Sequence, residues 1–231
     1  EFLMSDYGDD IYNDDDYIID DYIDQGIPED EINFDDLLLE AVSSKEVSKF
    51  EEIIELEKSN SNTCQYSFSC YEKMSIIYLE QRKVQEFTGS FTKLVELYPK
   101  VEYNFKMDTM RDINLALTYI NDYDYLSEIC RIIIDGLFDR IKEDKSIARE
   151  LLNTGILFSK NLIRWEKVEM LGELLEEMFD IMDRLDIESD ETMKNSKLEF
   201  IVLKIQYCNF KGLTNEAKAL YFEADSLNKE K

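Results

Sequence analysis

Lys49-Phe50-Glu51-Glu52-Ile53-Ile54-Glu55-Leu56 places Phe50, Ile53 and Ile54 at i, i+3 and i+4 among acids. That spacing gathers the apolar side chains on one face of a 3.6-residue helix, whereas a strand would alternate them. The same period is present upstream in Phe34, Leu37, Leu38 and Leu39, and it predicts helices over about 64–80, 84–97, 105–120, 123–141, 144–163, 165–185, 191–210 and 214–227. Breakers or polar clusters separate them: Ser59-Asn60-Ser61-Asn62, Pro99, Asn121-Asp122, Lys142-Glu143-Asp144, 186–190 and Gly212. With 2 Pro and 7 Gly in 231 residues, the chain lacks the turn signals of a β-sandwich. The expected fold is all-α.

The second helix of each pair carries a loose apolar-x-x-aliphatic repeat: Phe50/Ile53, Phe91/Leu94, Ile129/Ile132, Leu171/Leu174 and Ala217/Leu220, at intervals of 41, 38, 42 and 46. That period is longer than a tetratricopeptide unit and close to HEAT-like pairs. It predicts an α-solenoid of about five TPR/HEAT-like helical hairpins, each burying its stripe against its neighbours, over residues 30–231.

Charge sets the N-terminal region apart. The chain has 52 Asp and Glu, 26 Lys and Arg and no His, for a formal charge of −26. Sixteen of the acids lie in residues 1–40 beside no Lys or Arg, which leaves −10 for the remainder. Self-repulsion and scattered apolar residues predict an acidic disordered tail over 1–29, in which Glu1, Phe2 and Leu3 read as additions from cloning ahead of Met4-Ser5-Asp6. Tyr7, Tyr12, Tyr17 and Tyr22 recur every five residues, with Ile11, Ile18, Ile19 and Ile23 interleaved. Carboxylates that steer toward a basic surface, with aromatic rings that anchor on arrival, form an interaction motif. The candidate partner-binding residues are therefore Tyr7, Asp9, Asp10, Tyr12, Asp14, Asp15, Asp16, Tyr17, Asp20, Asp21 and Tyr22.

The same charge argues against nucleic acid and anionic membranes as partners, and no apolar run reaches the ~20 residues of a membrane span. Without His, the Ser-His-Asp, Cys-His and His-zinc catalytic sites are closed. No phosphate-binding glycine loop and no calcium-loop motif occurs. The acidic pairs Glu51/Glu52, Glu176/Glu177 and Glu188/Asp190 diverge around their helices and read as solvated faces. No enzyme activity, metal or cofactor is expected. Cys64, Cys70, Cys130 and Cys208 form no C-x-x-C and read as buried thiols of a reducing compartment, cytoplasm or nucleus. The methionines read as core filler and Trp165 as the seal of a repeat junction. Arg140, Lys142, Lys145 and Arg149 gather near one turn, and Lys160, Arg164 and Lys167 near the next.

Three features taken together resemble the subunit 2 family of the COP9 signalosome. They are the acidic, Tyr-rich start at Met4-Ser5-Asp6, the run Ser48-Lys49-Phe50-Glu51-Glu52-Ile53-Ile54-Glu55-Leu56-Glu57, and Leu203-Lys204-Ile205-Gln206-Tyr207 followed by Lys218-Ala219-Leu220-Tyr221. The resemblance runs from about Met4 to Ser226, by pattern more than by identity in the middle. It implies a non-catalytic scaffold that docks the C-terminal region of a cullin and its RING subunit, for removal of a ubiquitin-like modifier by another subunit. It also implies assembly with other signalosome subunits through a PCI domain beyond Lys231. Where the family has a Lys after W-G-F, associated with inositol phosphate, this chain has Tyr66-Ser67-Phe68-Ser69, and Ser69 brings no positive charge. Two alternatives stay open: a PCI scaffold subunit of the proteasome lid, and a free-standing repeat adaptor. A polar or Asn/Lys ladder along the concave helices would favour the adaptor.

Overall fold

Ten α-helices fill the described part of the chain, residues 32–60, 63–141, 145–185 and 191–229 of a computed structural model. They are α1 (Phe34–Ser44), α2 (Val47–Asn60), α3 (Gln65–Glu80), α4 (Val84–Leu97), α5 (Tyr103–Thr118), α6 (Tyr123–Phe138), α7 (Lys145–Arg164), α8 (Val168–Arg184), α9 (Glu191–Lys211) and α10 (Thr214–Lys229). A 3₁₀ turn at Tyr98–Lys100 carries Pro99 and ends the second pair. No strand occurs among the described residues. The fold is the expected all-α solenoid of five hairpins, with boundaries within three residues of those the apolar period predicts. The tail assigned to 1–29, with its eleven candidate partner-binding residues, lies outside the described residues.

The helices of Phe34–Lys231 stack in two layers. Odd-numbered helices pack successively, α1 on α3, α3 on α5, α5 on α7 and α7 on α9, and in the even layer α4 packs on α6. Such a stack needs helices that are apolar on more than one side, because each touches its partner and the neighbouring pair. Helix α3 shows why. Cys70, Met74 and Ile77 join Ala41, Phe50, Ile53 and Ile54 in a first core, while Phe68 and Leu79 belong to the larger core that continues through α9.

Four of the five hairpins turn through a left-handed residue: Lys45, Arg82, Glu166 and Gly212, with φ of 55°, 57°, 56° and 71°. At the last three, the following N–H reaches back to the helix (Lys83 to Tyr78 O, 3.0 Å; Lys167 to Leu162 O, 2.9 Å; Leu213 to Cys208 O, 2.8 Å), and the turn residue donates to the carbonyl three before it. These are Schellman closures, which satisfy the orphan carbonyls of a helix end. The turn fixes the repeat register, since at three of these turns the first buried residue of the next helix follows five positions later: Phe50, Phe87 and Leu171, with the half-buried Ala217 at the same place after Gly212. In α4 the equivalent of Phe50 is thus Phe87, one helical turn before the Phe91 that the apolar spacing selects. The third hairpin turns without a positive φ. There Asp122 caps α6 by accepting from the Tyr125 N–H at 3.2 Å.

Only Gly212 suits its left-handed φ without strain. Glu166 is exposed at such a position, so Glu166→Gly is expected to raise stability by about 0.5–1 kcal/mol. Urea unfolding checks this, and a lower midpoint would refute it.

Candidate functional site

Among the described residues, the cysteines, the tryptophan and five of the methionines serve the core. Cys70, Cys130 and Cys208 are buried and Cys64 is half-buried, all as free thiols. Burial pushes Cys70 and Cys130 up to about 12, which leaves them protonated and inert at neutral pH. Iodoacetamide at pH 8 should therefore spare Cys70 and Cys130 in the folded protein and label both after unfolding. Rapid labelling of either in the native state would contradict the packing. Met74, Met110, Met178, Met182 and Met193 are buried. Trp165 lies edge-to-face on Tyr123 at 5.5 Å, joining the start of α6 to the α7–α8 turn as the repeat-junction reading expects.

The basic turns are largely engaged. Lys160 pairs with Glu199 at 2.8 Å, Lys167 sits over the Tyr123 ring at 4.5 Å, and Arg140 and Arg149 also have partners. Of the acidic pairs, Glu51, Glu52 and Glu176 are exposed and Glu177 is half-buried in an ion pair with Arg131; Glu188 and Asp190 lie outside the described residues. Among the described residues no group of three or more Cys, Asp or Glu side chains gathers as metal ligands. No described helix is long and apolar enough to cross a membrane.

Polar chemistry concentrates in the odd layer. Where α3 meets α5, Glu72 is 6% exposed, receives Lys73 Nζ at 2.6 Å and Thr109 Oγ1 at 3.1 Å, and shares Lys73 with Asp112. Burial holds Glu72 above the usual carboxylate range against the pull of Lys73 and Thr109. Where α5 meets α7, Asp108, Arg111, Asn114, Arg149, Glu150 and Asn153 line a cleft of about 390 Å³. It lies on the seam opposite the core, since the same helices turn Met110, Ile113, Leu117, Leu151 and Leu152 inward. Thr154 Oγ1 lies 3.1 Å from Asn114 Oδ1 across the seam and 3.0 Å from the Glu150 carbonyl oxygen of its own helix. Glu150 is 2% exposed and accepts from Asn153 Nδ2 through Oε2 at 3.5 Å. Its Oε1 has no hydrogen-bond partner.

Burial raises the Glu150 carboxyl, with Asn153 and Arg149 pulling the other way. A raised folded value means that the neutral form is favoured by folding. That contribution is complete below the unfolded value near 4.5 and is lost as pH climbs through the raised one. Glu150→Gln removes the buried charge and keeps the amide acceptor, so it should raise the melting temperature at pH 7, and the gain should vanish by about pH 4. A gain that persists at low pH would mean that charge is not its source.

Sequence reasoning missed this cleft, because its residues come from two helices about 40 positions apart, one or two per turn, and no local pattern joins them. Comparison with protein-family models, curated proteins and solved structures finds no match to this chain.

Proposed function

We propose that the protein is a non-catalytic docking scaffold for other proteins. The observation that carries this reading is the exposed apolar side chains at the α9–α10 end of the stack: Phe210 (53% exposed), Leu213, Tyr221 (63%) and Phe222 (69%). In α2, α4 and α8 the repeat's stripe is buried, whereas α10 buries none of its residues. Exposed large apolar side chains gathered on one helical hairpin are suited to protein contacts. In its finer form the proposal is docking of the cullin C-terminal region and its RING subunit, as in the signalosome family that the sequence resembles, with the acidic tail steering the encounter. That form rests on the sequence resemblance.

Pull-down with neddylated and unmodified cullin–RING complexes tests it: retention of either supports cullin docking, and failure to retain both overturns it. Association and dissociation rates across a salt series separate the tail's two components. Asp→Asn at Asp14, Asp15, Asp16, Asp20 and Asp21 should slow association most at low salt. Tyr→Ala at Tyr12, Tyr17 and Tyr22 should speed dissociation by about 1–2 kcal/mol each, with little salt dependence. Unchanged rates in both sets would leave the tail no recruiting role.

A further inference from the structure

Helix α10 alone among the ten buries none of its residues. It packs on α9. At about 100° per residue, its half-buried Ala217, Leu220, Ala224 and Leu227 span about 80° of arc, the side turned to α9. Lys218, Tyr221, Phe222 and Asp225 fall within a separate arc of about 100°. Tyr221 and Phe222 are 63% and 69% exposed there, ring edge to ring face at 6.1 Å. Two large rings held together in water gain free energy by being covered.

The charges on that face are arranged about the rings. Lys218 precedes Tyr221 by three positions, and Asp225 follows Phe222 by three. Lys218 has no ion pair among the described residues, and Asp225 holds only an i,i+4 pair with Lys229, a kind worth little when exposed. A second α10 laid antiparallel, with the two-fold axis between the rings, sets Lys218 of each copy against Asp225 of the other. It also sets Tyr221 of each on Phe222 of the other. A parallel α10 would bring Lys218 onto Lys218 and Asp225 onto Asp225. The face is thus complementary to itself in one orientation, which is the condition for an isologous two-fold contact. Net charge points the same way. Residues 191–229 carry six Lys against five acids in a chain of −26, so an approach through α9–α10 is spared most of the repulsion between two acidic chains.

We propose that α10 is a self-association face, through which two copies of this chain pair antiparallel by two Tyr221–Phe222 contacts and two Lys218–Asp225 ion pairs. The inference rests on the reading of the α9–α10 end as a protein-docking face and names the occupant; it requires neither the tail nor a cullin. The 16 residues of α10 make about 24 Å of helix, and one such helix from each copy buries less than a standard interface. The dimer is accordingly weak, with a Kd of about 10–100 μM. A two-fold scaffold presents its other docking surfaces twice, which favours a partner that is itself two-fold.

Sedimentation equilibrium of the full chain between about 1 and 500 μM tests this. The expected result is a weight-average mass that climbs from one chain toward two. Tyr221→Ser and Phe222→Ser, both at exposed positions, should each weaken pairing by about tenfold or more. Lys218→Glu sets acid against acid, and Asp225→Lys sets cation against cation, so each variant alone should stay monomeric where the parent pairs. Mixed in equal amounts, these two variants should form a heterodimer, because each altered face then meets its opposite charge. A parent chain that stays monomeric at the highest concentration, a dimer unmoved by both Ser variants, or a mixture that recovers no pairing would each overturn the proposal. The parent series needs no variant, so it decides the matter even where a substitution disturbs the fold. A monomer that retains a cullin–RING complex would remove only the pairing; a dimer that retains none would remove only the cullin reading.

Discussion

Glu57→Ala is expected to cost about 4 kcal/mol of folding stability, as much as deleting a large core side chain. Glu57 is 1% exposed near the end of α2, yet it acts on the next helix. Its carboxylate accepts from the Tyr66 N–H at 3.0 Å, the Ser67 N–H at 2.6 Å and the Thr63 hydroxyl at 3.0 Å. The two amides belong to the first turn of α3, where intrahelical partners do not exist. The residue at the N-cap position is Cys64, whose side chain makes no capping bond. Glu57 supplies the missing cap from across the α2–α3 connection, with a negative charge at the positive end of the helix dipole.

Removing that carboxylate strands the buried Ser67 N–H and the half-buried Tyr66 N–H, at roughly 1–3 kcal/mol each where water cannot reach, and cuts bonds that are stronger because the acceptor is charged. Glu57→Gln should recover part of the loss, because one amide oxygen still accepts while the NH₂ opposes a backbone donor. Urea unfolding of both variants, with hydrogen exchange at Tyr66 and Ser67, measures this. An Ala variant within about 1 kcal/mol of the parent would show that water replaces the cap.

The run Ser48–Glu57, which carries much of the family resemblance, thus has a structural duty in four of its residues: Phe50, Ile53 and Ile54 fill the first core and Glu57 caps α3. The second run behaves similarly. The Tyr207 ring covers Gly172 on α8, Leu203 is buried, and Lys204 lies over the Phe179 ring at 4.5 Å. Residues such as these are demanded by a stacked helical hairpin whatever its partner. They explain why the fold was legible in the sequence while the partner was not.

Legibility also differs within the fold. The period of 3.6 placed all ten helices, because amphipathicity is local. Register was harder: Phe87 and Phe91 lie one turn apart on the same buried stripe of α4, so apolar spacing cannot choose between them. The residue that does choose is the left-handed one at the turn, and at three of four such turns it is Lys, Arg or Glu, where a glycine would have announced it. The odd-layer cleft was invisible for a further reason. Asn114, Glu150 and Asn153 look like ordinary helix-surface residues until the α5–α7 seam brings them together.

Three helical glycines, each changed to Ala, should give three different signs. A glycine inside a helix forfeits up to about 1 kcal/mol relative to Ala, so the substitution gains stability unless the new methyl meets something. At Gly89, exposed on α4, an added Cβ has nothing within 4 Å, and the full gain of about 0.5–1 kcal/mol is expected. At Gly172 the Cβ would come within 2.9 Å of the Tyr207 ring tip. That ring is half-buried and can swing toward solvent, so gain and strain should nearly cancel.

At Gly155 the Cβ would lie 2.6 Å from Met178 Sδ and 3.2 Å from Phe200 Cζ, both on side chains with 0% exposure. Helices α7, α8 and α9 meet there with no open side for either neighbour, and overpacking of that kind costs about 1–3 kcal/mol. Gly155→Ala should therefore lower stability by about 1–2 kcal/mol net of its helical gain. Gly155→Leu, which adds three more carbons at the same crossing, should lower it by about 4 kcal/mol or more. Unfolding midpoints of the four variants in urea decide the point. If Gly155→Ala proves as stable as Gly89→Ala, Met178 has room to move, and the crossing of α7, α8 and α9 is looser than these distances require.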